Sequence, residues 1–283
     1  MDRTKALLFV KKLWTQSLED GVTDLAAQLA FYFMLSIFPF LVFAVTLLGY
    51  SNIAAGDVLG LLRQVAPSGA LEIIESNLHD ILSSKRSGLL SFGILGTVWT
   101  ASGALSAVIR ALNRAYQVEE GRSFIKTRAL AVLLTLGMVL TILVTLLLPV
   151  FGDLIRALIS RFVVIPEFYS TIWNVARFLL SSCIMAGAFI CIYYLAPNLR
   201  LRLSEVVAGA VFAMIGWQFV SLGFSYYLGN FANYSATYGS LGAIIALMIW
   251  FYLTGLILIL GGELNAVLRW WRCTEHDGEG RPC

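Results

Sequence analysis

Six stretches of the chain are apolar almost without interruption: residues 25–50, 88–112, 129–151, 171–196, 204–229 and 239–268. None shows the alternation of a half-buried strand, and none carries the broad polar face of a helix on a soluble core. Each reaches or exceeds the ~20 residues that a helix needs to cross ~30 Å of hydrocarbon. The pattern predicts an all-α polytopic membrane protein, a bundle of six transmembrane helices.

The segments between the runs have their own patterns. Residues 68–83 set Leu71, Ile74, Leu78 and Ile81 on one helical face and Glu72, Glu75, His79 and Asp80 on the other. That spacing predicts an external amphipathic helix, capped by Ser68. Residues 153–162 repeat the device, with Leu154, Ile155 and Leu158 against Asp153, Arg156 and Arg161, beyond a bend expected at Pro149. The loop 229–239 is uncharged and rich in Asn, Ser, Thr and Tyr. It reads either as a substrate-contacting re-entrant turn or as a neutral external loop with interfacial tyrosines. Three regions follow: an amphipathic cytoplasmic segment (1–24), the six-span domain (25–268) and a disordered cytoplasmic tail (269–283).

Charge fixes an orientation. Only 13% of residues are charged and 59% are hydrophobic, about half the charge of a soluble domain. Most Lys and Arg fall on one side of the predicted topology. They are Arg3, Lys5, Lys11 and Lys12, then Arg110 to Arg128, then Arg200 and Arg202, and last Arg269, Arg272 and Arg281. The positive-inside rule puts both termini in the cytoplasm.

Polar groups inside an apolar span are site candidates, because lipid-facing helices have no use for them. Glu263 and Asn265 lie in the last span, Arg110 and Asn113 at the end of the second, and Gln28 at the start of the first. The topology brings all five to the cytoplasmic face, where Glu263 and Arg110 are expected to pair. Pro39 removes a backbone donor in the first span and predicts a kink there, with Ser36 placed to satisfy the freed carbonyl. Arg177 and Asn174, with Tyr234 and Tyr238, mark a weaker external vestibule. Mid-span Gln218 predicts an interhelical hydrogen bond.

Other chemistries lack their residues. The 2 histidines, His79 and His276, fall on opposite sides of the membrane without a ligand set, so no metal and no cofactor is expected. No phosphate-binding loop, dinucleotide fingerprint or nucleophile elbow is present. The basic residues follow topology and form no nucleic-acid groove. Cys183 and Cys191 fall on one helix about 12 Å apart along its axis, too far for a disulfide.

The run from Ala26 through Gln28, Phe31, Tyr32 and Ser36 to Pro39 resembles the opening span of the YihY/virulence factor BrkB family. Matches continue at Leu112-Asn-Arg-Ala-Tyr116, Tyr194-Leu-Ala-Pro197, Tyr238-Gly-Ser-Leu-Gly242, Trp250-Phe-Tyr252 and Gly261-Gly-Glu-Leu-Asn265. The resemblance implies a six-span bacterial inner-membrane bundle and no established activity. Some members carry a ribonuclease label, for which these residues offer no metal-ligand cluster.

Two functions follow as expectations. One is a transporter or lipid- or solute-handling protein, with the lipid bilayer and a lipid or small molecule as partners and Glu263 and Arg110 as a switchable pair. The other is a non-transporting envelope scaffold acting through its external helices. Neither is enzymatic, and both are compatible with a homo-oligomer.

Overall fold

The computed structural model of the chain describes residues 3–50, 87–159, 167–231 and 240–276. The described residues form seven α-helices and no strand. In order they are α1 (Arg3–Glu19), α2 (Val22–Tyr50), α3 (Ser87–Ala115), α4 (Phe124–Ile159), α5 (Glu167–Leu195), α6 (Leu203–Phe231) and α7 (Ser240–His276). Helices α2 to α7 answer in turn to the six apolar runs. Among the described residues, five of them are long and apolar enough to cross a membrane, and α2 contributes the shorter apolar stretch Val22–Ile37.

Each of these six helices packs on its neighbours in sequence, and α7 returns to pack on α2, which closes a ring. The first turns of α2, α4 and α6 lie with the last turns of α3, α5 and α7. Arg122 reaches the Ala196 carbonyl at 2.6 Å, and Asn265 accepts from the Gly209 amide at 2.7 Å. Consecutive helices are therefore antiparallel. Among the described residues the core gathers at this end, around Leu29, Val108, Leu112, Ile192, Tyr193, Val206 and Ile259. Helix α3 is the centre, since half of its apolar window is buried against at most 22% in the other four. Helices in lipid gain nothing by escaping water, so they associate by close packing. Ala104, Ala107, Ala111 and Ala115 give α3 the small face that this requires.

Local chemistry sets the helix ends. Helix α1 stops where Gly21 takes φ 64°, a conformation that suits a residue without Cβ. Helix α3 ends in a Schellman motif: Gln117, at φ 54°, donates to the Arg114 carbonyl, and Val118 donates to that of Asn113. At α6 the cap is Arg202, whose backbone N–H donates to Glu205 Oε2 at 2.6 Å. At the α6–α7 crossing a Cβ on Gly209 would run into the Gly261 carbonyl and the Asn265 amide.

Several expectations change. Helix α4 runs unbroken from Phe124 through Pro149 to Ile159, so the third span and the start of the segment 153–162 are one helix. Helix α7 continues past Trp271 to His276, so the start of the tail 269–283 is helical. Contacts with α1 account for this: Phe9 meets Trp271 edge-on at 6.2 Å and Lys12 lies over the Trp270 ring at 5.1 Å. Ser36 Oγ donates to the Phe33 carbonyl at 2.7 Å, not to the one that Pro39 frees. The amphipathic segment 68–83, most of the loop 229–239 with Tyr234 and Tyr238, and residues 277–283 lie outside the described residues.

Candidate functional site

Helix α1 is amphipathic in an inverted sense. Leu7, Val10, Trp14 and Leu18 are exposed, while polar Gln16 is buried. That apolar face suits the interfacial position expected for residues 1–24. The buried face rests on the end of the ring. Gln16 Nε2 donates to the Ala115 carbonyl of α3 at 2.8 Å and to Glu263 Oε2 of α7 at 3.1 Å. One side chain thus ties α1 to two helices.

Glu263 is fully buried. Beside it stands Asp20, in the turn after α1, near enough for the two carboxyl groups to act on each other. Asp20 Oδ2 and Glu263 Oε1 are buried and find no hydrogen-bond partner among the described residues. Two carboxyl groups held this close resist carrying two charges, and a proton kept by one would let them hydrogen-bond. Burial pushes Asp20 above its ordinary 3.8, and Glu19 adds to the shift. The bond to Glu263 and the charge of Arg114 pull the other way. Arg114 Nε lies 3.4 Å from Asp20 Oδ1, and its Nη2 donates to the Glu19 carbonyl at 3.2 Å. Nearby, Tyr116 has a buried hydroxyl without a partner, and its pKa is raised chiefly by burial.

The other predicted residues divide into separate groups. Arg110 does not pair with Glu263: its Nη2 donates to Gln28 Oε1 at 3.3 Å on an exposed flank of the bundle. The reason is height: Arg114 stands one turn, about 6 Å, further along the same face of α3, at the level of Asp20. Asn113 bridges loops, with Nδ2 donating to Glu120 Oε2 at 2.9 Å and Oδ1 accepting from the Asn198 amide at 2.7 Å. Burial works to raise the pKa of Glu120, but hydrogen bonds from Arg122 and Asn113 outweigh it and hold the group below 4.5. Asn265 is buried and brackets α6, accepting from the Gly209 amide and donating to the Val206 carbonyl at 3.1 Å. Pro39 is buried, and a Cβ on Gly96 of α3 would lie 3.1 Å from its ring. Arg177 is half-buried on α5, the helix that also holds Asn174. Gln218 makes the expected interhelical bond, donating to Ser182 Oγ at 3.0 Å.

Sequence reasoning missed Gln16 and Asp20, while Arg114 stands beside Arg110 and Asn113 among the polar groups that end the second span. The signal of the first two was weak, because both belong to a charged segment that reads as an ordinary solvated end. Tyr193 was also missed; it is fully buried and donates to the Leu258 carbonyl at 2.7 Å, pinning α5 to α7 beside Gly261.

A family model described as virulence factor BrkB matches residues 13–282. The chain is 49% identical over 261 residues to a protein of Bacillus subtilis named ribonuclease-like, YfkH, covering 92% of this chain and 94% of that one. It is 27% identical over 275 residues to a UPF0761 membrane protein of Pseudoalteromonas atlantica, covering 93% of this chain and 87% of that one. A UPF0761 membrane protein of Aliivibrio fischeri is 28% identical over 268 residues, covering 93% and 82%. No solved structure matches the chain.

Proposed function

Since this chain belongs to the virulence factor BrkB family of membrane proteins, we propose that it is a six-span bacterial inner-membrane protein that handles a lipid or other solute, with a proton-dependent latch at its cytoplasmic end. The basic residues support this orientation. Lys5, Lys11 and Lys12 of α1, Arg114, Arg122, Arg128 and Arg269 all gather at the end of the ring where α1 docks.

The observation that carries the reading is the buried Asp20–Glu263 pair beneath Gln16. A lone ionisable group in a span costs roughly 2.5–3.5 kcal/mol at bilayer depth, and a second acid beside it adds repulsion. Bundles that only need packing have no use for such a pair. With the shared proton in place, Gln16 and Asp20 hold α1 against α3 and α7. Loss of that proton leaves two like charges in the seam and drives α1 away from α7. The latch therefore couples protonation to access at the closed end of the ring.

The test is thermal stabilisation of the purified protein across a panel of lipids, ions and metabolites, for wild type and Glu263→Gln. A ligand of the folded state at about 100 times its Kd adds roughly 2.7 kcal/mol. The expected result is a ligand whose effect depends on pH in wild type and loses that dependence in Glu263→Gln. Identical, pH-independent stabilisation of both proteins removes Glu263 from any handling role.

One observation favours the scaffold reading. Buried Ser102, Thr135 and Ser182 each donate to a carbonyl of their own helix, so they offer no polar route from end to end. If the protein is a scaffold, replacing Asp20 and Glu263 together by apolar residues leaves function intact. Among the described residues no three His, Cys, Asp or Glu side chains gather as a metal site requires.

A further inference from the structure

On the outer flank of the ring, α2, α3 and the start of α4 enclose a groove of about 500 Å³. Three arginines line it, Arg110, Arg122 and Arg128, against the single carboxylate of Glu120. That carboxylate is already committed. Arg122 holds it at 2.8 Å, and Asn113 takes its second oxygen. Arg122 also donates to the Ala196 carbonyl, which makes it a clamp between loops. The other two arginines have no carboxylate partner among the described residues.

Arg128 is the better placed of the two. Its guanidinium lies over the Trp99 ring at 4.3 Å, with Nη2 donating to the Trp99 carbonyl at 2.8 Å and Nη1 to Ser106 Oγ at 3.4 Å. Its Nε is buried and finds no acceptor. A guanidinium carries five N–H donors and matches phosphate oxygens in a planar fork. Arg110 stands at the rim, its Nη2 at 3.3 Å from Gln28 Oε1. The groove thus presents two uncompensated cations with donors to spare.

Its shape supplies the second half of the argument. From Arg110 back to Thr100, α3 rises about 15 Å, half the ~30 Å of a hydrocarbon core. Along that length Leu35, Trp99 and Ile109 stand among Tyr32, Thr100 and Ser106, Trp99 and Phe124 are exposed, and Arg128 lies partway down, over the Trp99 ring. The cations at the basic end of the bundle thus sit beside a mainly apolar wall that ends near mid-membrane, as one leaflet of lipid does. A soluble anion would use the cations and leave the apolar wall uncovered.

We infer that this groove binds an anionic phospholipid of the cytoplasmic leaflet, its phosphate between Arg110 and Arg128 and one acyl chain along Trp99 and Leu35. The six-span orientation proposed above supplies the choice of leaflet; the binding itself does not depend on the latch, because the groove shares no residue with the Gln16–Asp20–Glu263 cluster.

The experiment is native mass spectrometry and thermal melting of the full chain in neutral detergent. The probes are phosphatidylglycerol, phosphatidylcholine with the same acyl chains, and inorganic phosphate. Wild type is expected to prefer phosphatidylglycerol at least about tenfold, because phosphatidylcholine offers the same phosphate but adds a choline cation that neutralises it and is repelled by the two arginines. Arg110→Gln with Arg128→Gln abolishes that preference, and Arg110→Lys keeps most of it. Arg128 also ties α4 to α3, so Arg110→Gln alone, at a rim contact, gives the deciding loss if the double variant does not fold. Equal binding of the two lipids, or a preference untouched by Arg110→Gln, overturns the inference. Stabilisation by inorganic phosphate equal to that by phosphatidylglycerol also overturns it, in favour of a soluble anion. Glu263→Gln leaves the preference unchanged; if it abolishes it, the phosphate sits at the carboxyl pair and the groove assignment falls.

Discussion

Replacing Glu263 by Gln and by Ala separates a proton stored at the latch from simple filling of space. Glutamine keeps the shape and brings its own N–H donors, one of which can serve Asp20 Oδ2, so α1 stays docked without a shared proton. Alanine leaves the Gln16 amide and the Asp20 carboxyl facing a void. Each buried polar group deprived of its partner costs about 1–3 kcal/mol, so the two together predict a loss of roughly 2–6 kcal/mol. The pH dependence has a definite sign. Burial holds Asp20 above 3.8 in the folded state. The folded protein therefore keeps a proton that the unfolded chain releases. Its contribution to stability is complete below pH 3.8 and is lost as pH rises through the raised value. Melting followed by tryptophan fluorescence from about pH 4 to about pH 8 reads all three proteins. Wild type should lose midpoint as pH rises, Glu263→Gln should be flatter, and Glu263→Ala should melt lowest throughout. A wild-type midpoint independent of pH, or an alanine variant as stable as the glutamine one, refutes the shared proton.

Other substitutions test the packing. Gly209→Ala forces a methyl into the Gly261 carbonyl and the Asn265 amide; it should cost several-fold in folded yield, whereas Gly223→Ala, with nothing within 4 Å of its new Cβ, should be neutral or stabilising by up to about 1 kcal/mol. Tyr193→Phe removes one buried hydrogen bond and should lower stability by about 1 kcal/mol, with the freed Leu258 carbonyl adding to the loss. Asn265→Leu should be worse, since it leaves both the Gly209 amide and the Val206 carbonyl without their α7 partner; size-exclusion chromatography should show aggregation. Single cysteines placed at the two termini should react with a membrane-impermeant thiol reagent only in inverted vesicles, and labelling of either from outside intact cells rejects the orientation.

The apolar runs were legible because a bilayer imposes one length on every crossing, and that length survives in sequence without any knowledge of neighbours. Glu263 and Asn265 were legible for a related reason: an ionisable or amide group amid apolar residues has to be held by something. What holds them was not legible. The choice between Arg110 and Arg114 rests on about one turn of rise along one helix face, which hydropathy does not encode when both residues sit at a charged end. Gln16 was hidden by the pattern around it. Leu7, Val10 and Trp14 mark the face that leaves the protein, and the inward face of α1 is polar because its target, Glu263, is polar too. Pro149 lies within α4, which continues past it to Ile159, so the proline does not mark the end of the span.

The closed ring has a consequence for how the chain is made. Helices α2 to α6 can each dock on the one synthesised just before, but the seam between α7 and α2 does not exist until the last helix has entered the membrane. The bond from Gln16 to Glu263 spans 247 residues, so α1, the first element to emerge, waits for nearly the entire chain before its buried face is covered. Until then its polar inner surface is free for chaperones of the insertion machinery or for water. A truncation before α7 therefore leaves an open arc and an amino-terminal helix whose Gln16 has no Glu263 to meet.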